Sequence, residues 1–210
     1  MKNLSILLLI FSFAVPATAP AQHKATYTGI TKDKFNYVSS SQRNSQWCWA
    51  ASIQMIFNYY GVDISQEQVV SKSYGKDGSG QLPNRTANEE IITANLNNWK
   101  IGNDGQNYIV EAKLNHGPPT PSYLIEELVN ERPVLIGYRT GPTAGHTVLI
   151  TACSYYPTAN GPVIRSIIVR DPWPSEENLK TAGRIEYSGI SLANLIQSHW
   201  YVKVISPSGK

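Results

Sequence analysis

The stretch from Gln42 to Gly61, QRNSQWCWAASIQMIFNYYG, constrains this chain most, because a polar run there meets one cysteine and that cysteine opens an apolar helix. From Trp47 to Tyr60, Ala51, Met55 and Tyr59 share one helical face, and Ala50, Ile53, Ile56, Phe57 and Tyr60 widen it. The spacing predicts a helix over 47–60 that Gly61 ends. Cys48 then stands in the first turn, where unpaired backbone N–H groups and the positive end of the helix dipole favour a thiolate over a thiol. Such a setting lowers a cysteine pKa and makes the sulfur reactive. The small residues Ala50, Ala51 and Ser52 let the helix lie close against a neighbouring wall. The competing reading of Cys48 is a buried cysteine acting as a small apolar residue. Six positions before it, Gln42 lies on a short polar loop, from which a side-chain amide can donate to an oxyanion beside the Cys48 N–H. Gln46 is a competing donor.

Gln42 at that spacing, taken with CWAA at 48–51, resembles the active-site start of papain-like cysteine peptidases, in which a glutamine precedes the nucleophile and a tryptophan follows it. The likeness is greatest to the bacterial avirulence-effector type, whose nucleophile motif also reads CWAA. The resemblance makes Cys48 the nucleophile, Trp49 its supporting neighbour and Gln42, in preference to Gln46, the oxyanion donor.

At the start of the chain, Lys2 is followed by an apolar core from Leu4 to Val15 and a small-residue tail, PATAPA. This is the pattern of a secretory signal peptide over 1–21, with Ala19 and Ala21 placing the cut before Gln22. The core is too short for a membrane span, and no cysteine near the cut indicates a lipid anchor. The expected product is secreted or periplasmic and bacterial. Residues 22–41 are polar, with Tyr27, Phe35 and Tyr37 as the large anchors, and read as an extended lead-in; 42–210 then form one domain. A net charge of +3, a charged fraction of 16% and scattered basic residues argue against a nucleic-acid partner.

Past the first helix, Ser65 and Gln68 make a capping box ahead of a short helix ending near Tyr74. The stretch GKDGSGQLPNRT reads as an irregular loop, sooner a solvated connection than the lining of a substrate cleft, and Asn88 caps a third helix that buries Ile91, Ile92, Leu96 and Trp99. The pattern changes from about residue 106. A strand over 107–113, a short helix from Pro121, a buried strand VLIGYR, the strand HTVLITACSYY, a turn at PTANGP and the strand VIRSIIVR follow in order. A last strand pair around GRIEY and WYVKVI flanks a short helix near SLANLIQ. Helices first and an antiparallel sheet second is an α+β order. It agrees with the two-lobed papain-like fold that the resemblance implies, a helical lobe with the nucleophile helix and a sheet lobe carrying the histidine and aspartate.

Of four histidines, His146 alone follows a Gly-rich loop and opens a core strand, where a side chain can face a cleft from a rigid backbone. Read by itself it is as well explained as a structural strand-start residue. In the AGHTVLI context it resembles the histidine strand of papain-like peptidases, and paired with Cys48 it would take the thiol proton and later protonate the leaving amine. Asp171 ends the strand that pairs with the His146 strand through the hairpin at 157–162, so the two meet at one edge. There a carboxylate would accept the second imidazole N–H and fix the ring. The layout Asp171-Pro172-Trp173 resembles that of plant and lysosomal papains, which carry asparagine in place of this aspartate. Trp173 would shield the pair from water or belong to the core, and Asp171 by itself reads as a strand-ending turn.

The order Gln, Cys, His, Asp, with about 100 residues from Cys48 to His146 and 25 more to Asp171, is that of the papain clan. The resemblance implies a cysteine-type peptidase that hydrolyses peptide bonds through a thiol ester and needs no metal or cofactor, with a protein or peptide substrate and an inhibitor or immunity partner. Amidases and acyl transferases acting on cell-wall peptides share the machinery. The non-enzyme rival is an inactive binding module in which Cys48 and Cys153 form a disulfide.

Overall fold

The computed structural model of the 210-residue chain describes residues 24–97, 99, 109–142 and 144–205. Segment 1–21, which reads as a signal peptide, and the first residues of the strand expected over 107–113 lie outside them. In chain order the elements are β1 (Thr26–Gly29), α1 (Lys32–Asn36), α2 (Cys48–Tyr59), α3 (Gln66–Tyr74), α4 (Glu89–Asn97), β2 (Ile109–His116), α5 (Pro121–Val129), β3 (Val134–Arg139), β4 (Gly145–Tyr156), β5 (Val163–Arg170), α6 (Glu176–Thr181), β6 (Arg184–Ser188), α7 (Gly189–Ala193) and β7 (Ile196–Ile205). This is the α+β order that the sequence predicts, and helix α2 runs within one residue of the predicted ends at both termini.

Local chemistry sets the helix ends. Ser65 accepts from the Gln68 N–H while the Gln68 side chain accepts from the Ser65 N–H, a reciprocal cap that starts α3. Asn88 accepts from the Ile91 N–H at 2.9 Å to start α4. Pro121 occupies the first turn of α5, where a missing N–H costs nothing.

The strands form one antiparallel sheet in the order β2-β7-β3-β4-β5-β6, with β1 pairing to the far half of β4. Alternation along the strands sorts side chains to two faces. Leu135, Leu149, Trp200 and Val202 face α2, α3 and α4 and share their core with Ile53, Ile56, Phe57, Val69 and Leu96. Val134, Ile136, Val148 and Ile150 face the other way, onto Leu124 and Leu128 of α5 and Leu192 of α7.

Three features differ from the sequence reading. The lead-in segment 22–41 contains a strand and a helix: β1 adds to β4, and Phe35 of α1 is fully buried and stacked on Tyr59 at 5.5 Å between ring centres. The last two strands are not neighbours, because β7 inserts between β2 and β3 whereas β6 closes the opposite edge beside β5. Helix α6, capped by Ser175, occupies a stretch given no element.

Candidate active site

Cys48 is the first residue of α2, so its N–H has no acceptor within the helix. One turn later Ser52, fully buried, donates from Oγ to the Thr147 carbonyl at 3.0 Å. That bond clamps the start of α2 to the start of β4, and Thr147 beside it helps to lower the Cys48 pKa. In sequence Ser52 is only a small residue near Cys48; its reach to β4 depends on a strand 95 residues away.

His146 is the second residue of β4, and Asp171 directly follows β5. The two strands are antiparallel, with Leu149 opposite Arg170, so the start of one and the end of the other share an edge. There His146 Nε2 lies 2.7 Å from Asp171 Oδ1, which also accepts from the Trp173 N–H at 2.8 Å. With Nε2 engaged, Nδ1 is the ring nitrogen left for Cys48. The structure thus brings Cys48, His146 and Asp171 together. Of the other described histidines, His199 is buried against the Gly117 carbonyl and His116 is exposed beside Glu89.

The electrostatics follow from the geometry. Burial acts to raise the Cys48 pKa, but hydrogen bonding and charge attraction from His146, with help from Thr147, reverse it and leave the thiol below its ordinary value. Burial likewise acts to lower His146, and Asp171 together with Cys48 outweighs it, raising the imidazole to about 9. Both shifts favour a thiolate facing an imidazolium.

Cys153 sits fully buried, seven positions along β4 from His146, or about 23 Å at the rise of an extended strand. Both cysteines are free, and burial pushes the Cys153 thiol up to about 12. A bridge to Cys48 is out of reach.

Asp171 is fixed from both sides. Its N–H donates to the Gly183 carbonyl at 2.8 Å, and the next carbonyl, that of Pro172, accepts from the Gln42 N–H at 2.8 Å. Arg170, 2% exposed, donates to Asn36 Oδ1 and to the carbonyls of Lys32, Thr181 and Ala182. Neither the arginine nor its partners had a distinguishing pattern in sequence, since they come from three separate segments.

Gln42 is buried behind the loop that leads to Cys48, where its Nε2 donates to the carbonyls of Asn44 and Ser45 at 2.9 Å each. Gln46 is exposed and lines a cavity with Cys48. Trp49 is 1% exposed and donates from its indole to the Arg85 carbonyl. Trp173 is half exposed at the cavity rim beside His146 and Asp171, rather than in the core.

Two cavities, of about 620 and 550 Å³, meet at Cys48 and His146. Thr86 on the helical side and Tyr138, Ala144 and Gly145 on the sheet side line both. Among the described residues, no group of His, Cys, Asp or Glu could hold a metal ion, and no helix is long and apolar enough to cross a membrane.

A family model described as the Peptidase_C39-like family matches residues 32–192. The chain belongs to that family. It is a cysteine-type peptidase with a papain-like fold, as the resemblance implied, and the branch that the match names is the Peptidase_C39-like one. No curated protein matches it by sequence. Among solved structures, the peptidase domain of Streptococcus ComA, a bi-functional ABC transporter involved in quorum sensing, aligns at 12% identity over 78% of this chain and 95% of that one, with a TM-score of 0.49. A double-glycine-motif protease from an AMS/PCAT transporter, in complex with its leader peptide, aligns at 17% identity over 87% of this peptidase and 95% of that chain, with a TM-score of 0.47. Procathepsin L2 from the Tenebrio molitor larval midgut aligns at 12% identity over 89% and 70%, also at 0.47.

Proposed function

We propose that this peptidase is an exported bacterial protease that cleaves peptide bonds with Cys48 as nucleophile, His146 as acid and base, and Asp171 as the group that orients His146. The observation that carries this reading is the single cluster in which Asp171 holds His146 Nε2 at 2.7 Å while His146 and the helix-start Cys48 shift each other toward an ion pair.

In the proposed cycle the Cys48 thiolate attacks the scissile carbonyl carbon, forming a C–S bond and placing charge on the carbonyl oxygen. The Cys48 N–H and a side-chain amide receive that charge. Sequence spacing points to Gln42 as the amide, although its Nε2 hydrogens go to the Asn44 and Ser45 carbonyls here, and the cavity lining points to Gln46, so alanine variants of each separate them. The intermediate collapses as the C–N bond breaks and His146 gives its proton to the leaving amine, leaving a thiol ester. Water, deprotonated by His146, then attacks the ester, releases the carboxylic acid and restores the thiolate and imidazolium. Export rests on the signal-peptide pattern of residues 1–21 and the alanines at 19 and 21.

The test is incubation of the protein beginning at Gln22 with a mixed peptide pool, beside Cys48→Ala. Wild-type protein should cleave internal amide bonds and trap as a thiol ester on acid quenching, and Cys48→Ala should do neither. Cleavage by Cys48→Ala at the wild-type rate would overturn the assignment. Cleavage confined to cell-wall cross-bridge amides would replace the protease reading with an amidase.

A further inference from the structure

Residues 82–86, LPNRT, belong to the stretch whose composition reads as a plain loop, yet they are fastened to the nucleophile segment along its whole length. The Trp47 indole donates to the Pro83 carbonyl at 3.0 Å, and the Trp49 indole donates to the Arg85 carbonyl at 3.1 Å. Between them Asn84 bridges in both directions: its Oδ1 accepts from the Gln46 N–H at 2.9 Å, and its Nδ2 donates to Ser45 Oγ at 2.9 Å. Behind this strap, Tyr74 at the end of α3 donates to the Thr86 carbonyl, carries the Arg85 guanidinium over its ring and meets Trp49 edge-on. The loop 42–47 is therefore held from inside by Gln42, through the carbonyls of Asn44 and Ser45, and from outside by Asn84.

We propose that Asn84 is a positioning residue for the peptidase reaction: it holds Ser45 and Gln46 so that the donors around the Cys48 N–H are in place when the oxyanion forms. The thiolate and imidazolium do not depend on it, since Ser52 clamps α2 to Thr147 of β4 and Asp171 holds His146 from the sheet. Loss of Asn84 should therefore damage the step that develops an oxyanion and leave the nucleophilicity of the sulfur unchanged. Misplacing a reacting geometry by about 1 Å costs on the order of 100-fold, so release of one anchor should cost about 10-fold or more in kcat. The inference rests on Cys48 being the nucleophile.

The experiment compares wild type, Asn84→Ala and Asn84→Asp in peptide turnover and in the rate of iodoacetamide labelling of Cys48. Alkylation displaces iodide at a carbon where no oxyanion develops, so it reads the thiolate alone. Asn84→Ala should lower kcat about 10-fold or more with little change in KM and label at the wild-type rate over the whole pH range. Asn84→Asp keeps an acceptor for the Gln46 N–H and should recover most of kcat. A kcat within twofold of wild type in Asn84→Ala, or a labelling rate that falls in step with kcat, overturns the proposal. If wild-type protein itself fails to label at Cys48 or to hydrolyse peptides, the nucleophile assignment falls and this inference with it; intact wild type beside an unaffected Asn84→Ala removes the inference alone.

Discussion

Replacing Asp171 by Asn removes a charge and almost nothing else. The Oδ1 of an asparagine there can still accept from His146 Nε2 and from the Trp173 N–H, so ring position and the turn after β5 are preserved. What is lost is the carboxylate that, together with Cys48 and against the burial which acts to lower it, raises His146 to about 9. A charge-assisted hydrogen bond is worth roughly 1–2 kcal/mol more than a neutral one, and one pKa unit is about 1.4 kcal/mol, so the imidazolium should become easier to deprotonate by about one unit. Cys48 is depressed and His146 raised, so the ion pair persists from the lowered thiol value up to about 9 and is lost above that as His146 gives up its proton. The basic limb of kcat/KM against pH in the wild type should therefore fall near 9, as an apparent value of the coupled pair. In Asp171→Asn that limb should move down by about one unit, with a smaller loss at the optimum than in Asp171→Ala, where the ring also loses its orienting acceptor. The assay is hydrolysis of a fluorogenic peptide between pH 5 and 10, at roughly half-unit steps that resolve a one-unit shift. A basic limb that stays where it is in Asp171→Asn would refute the claim that this carboxylate sustains the imidazolium.

The supports of the site give further tests. Gly183 has a φ of +71°, and a Cβ there would lie 2.3 Å from the Asp171 carbonyl oxygen, so Gly183→Ala should displace Asp171 and lower both kcat and melting temperature; unchanged kinetics would show that Asp171 is not placed by this turn. Ser52→Ala leaves the buried Thr147 carbonyl without its hydroxyl donor, a loss of about 1–2 kcal/mol, which should appear as a melting point lower by roughly 2–8 °C in a chain of this size.

The parts of the fold that were legible in sequence are those written locally. The α2 stripe from Ala51 to Tyr59, the Ser65–Gln68 cap and the Pro121 start are patterns within a few residues, and each marks an element in its expected place. The meeting of His146 and Asp171 was also readable, because a hairpin returns the chain toward the edge from which it left. Sheet order was not. Nothing in WYVKVI says that β7 inserts between β2 and β3, since both of its edges pair with strands distant in sequence. The pairing of β1 with β4 is not legible because its four residues carry no alternation. The strap at 82–86 was invisible for a related reason: it has no period, and its order comes from indole and amide bonds to a segment 36 to 39 residues earlier. The same limit applies to Arg170, whose five-residue neighbourhood looks like an ordinary strand end, although its partners at Lys32, Asn36 and Thr181 make it a buried anchor.

The measurement that bears most directly on the account is the rate of iodoacetamide labelling of Cys48 against pH in the protein beginning at Gln22, with His146→Ala beside it. Cys48 depressed by an imidazolium should label rapidly below pH 7, where an ordinary thiol with a pKa of about 8.5 is largely protonated, and His146→Ala should shift the profile to the alkaline side. A wild-type profile that rises only near the ordinary thiol value, or one unmoved by His146→Ala, would contradict the ion pair on which the proposed chemistry depends.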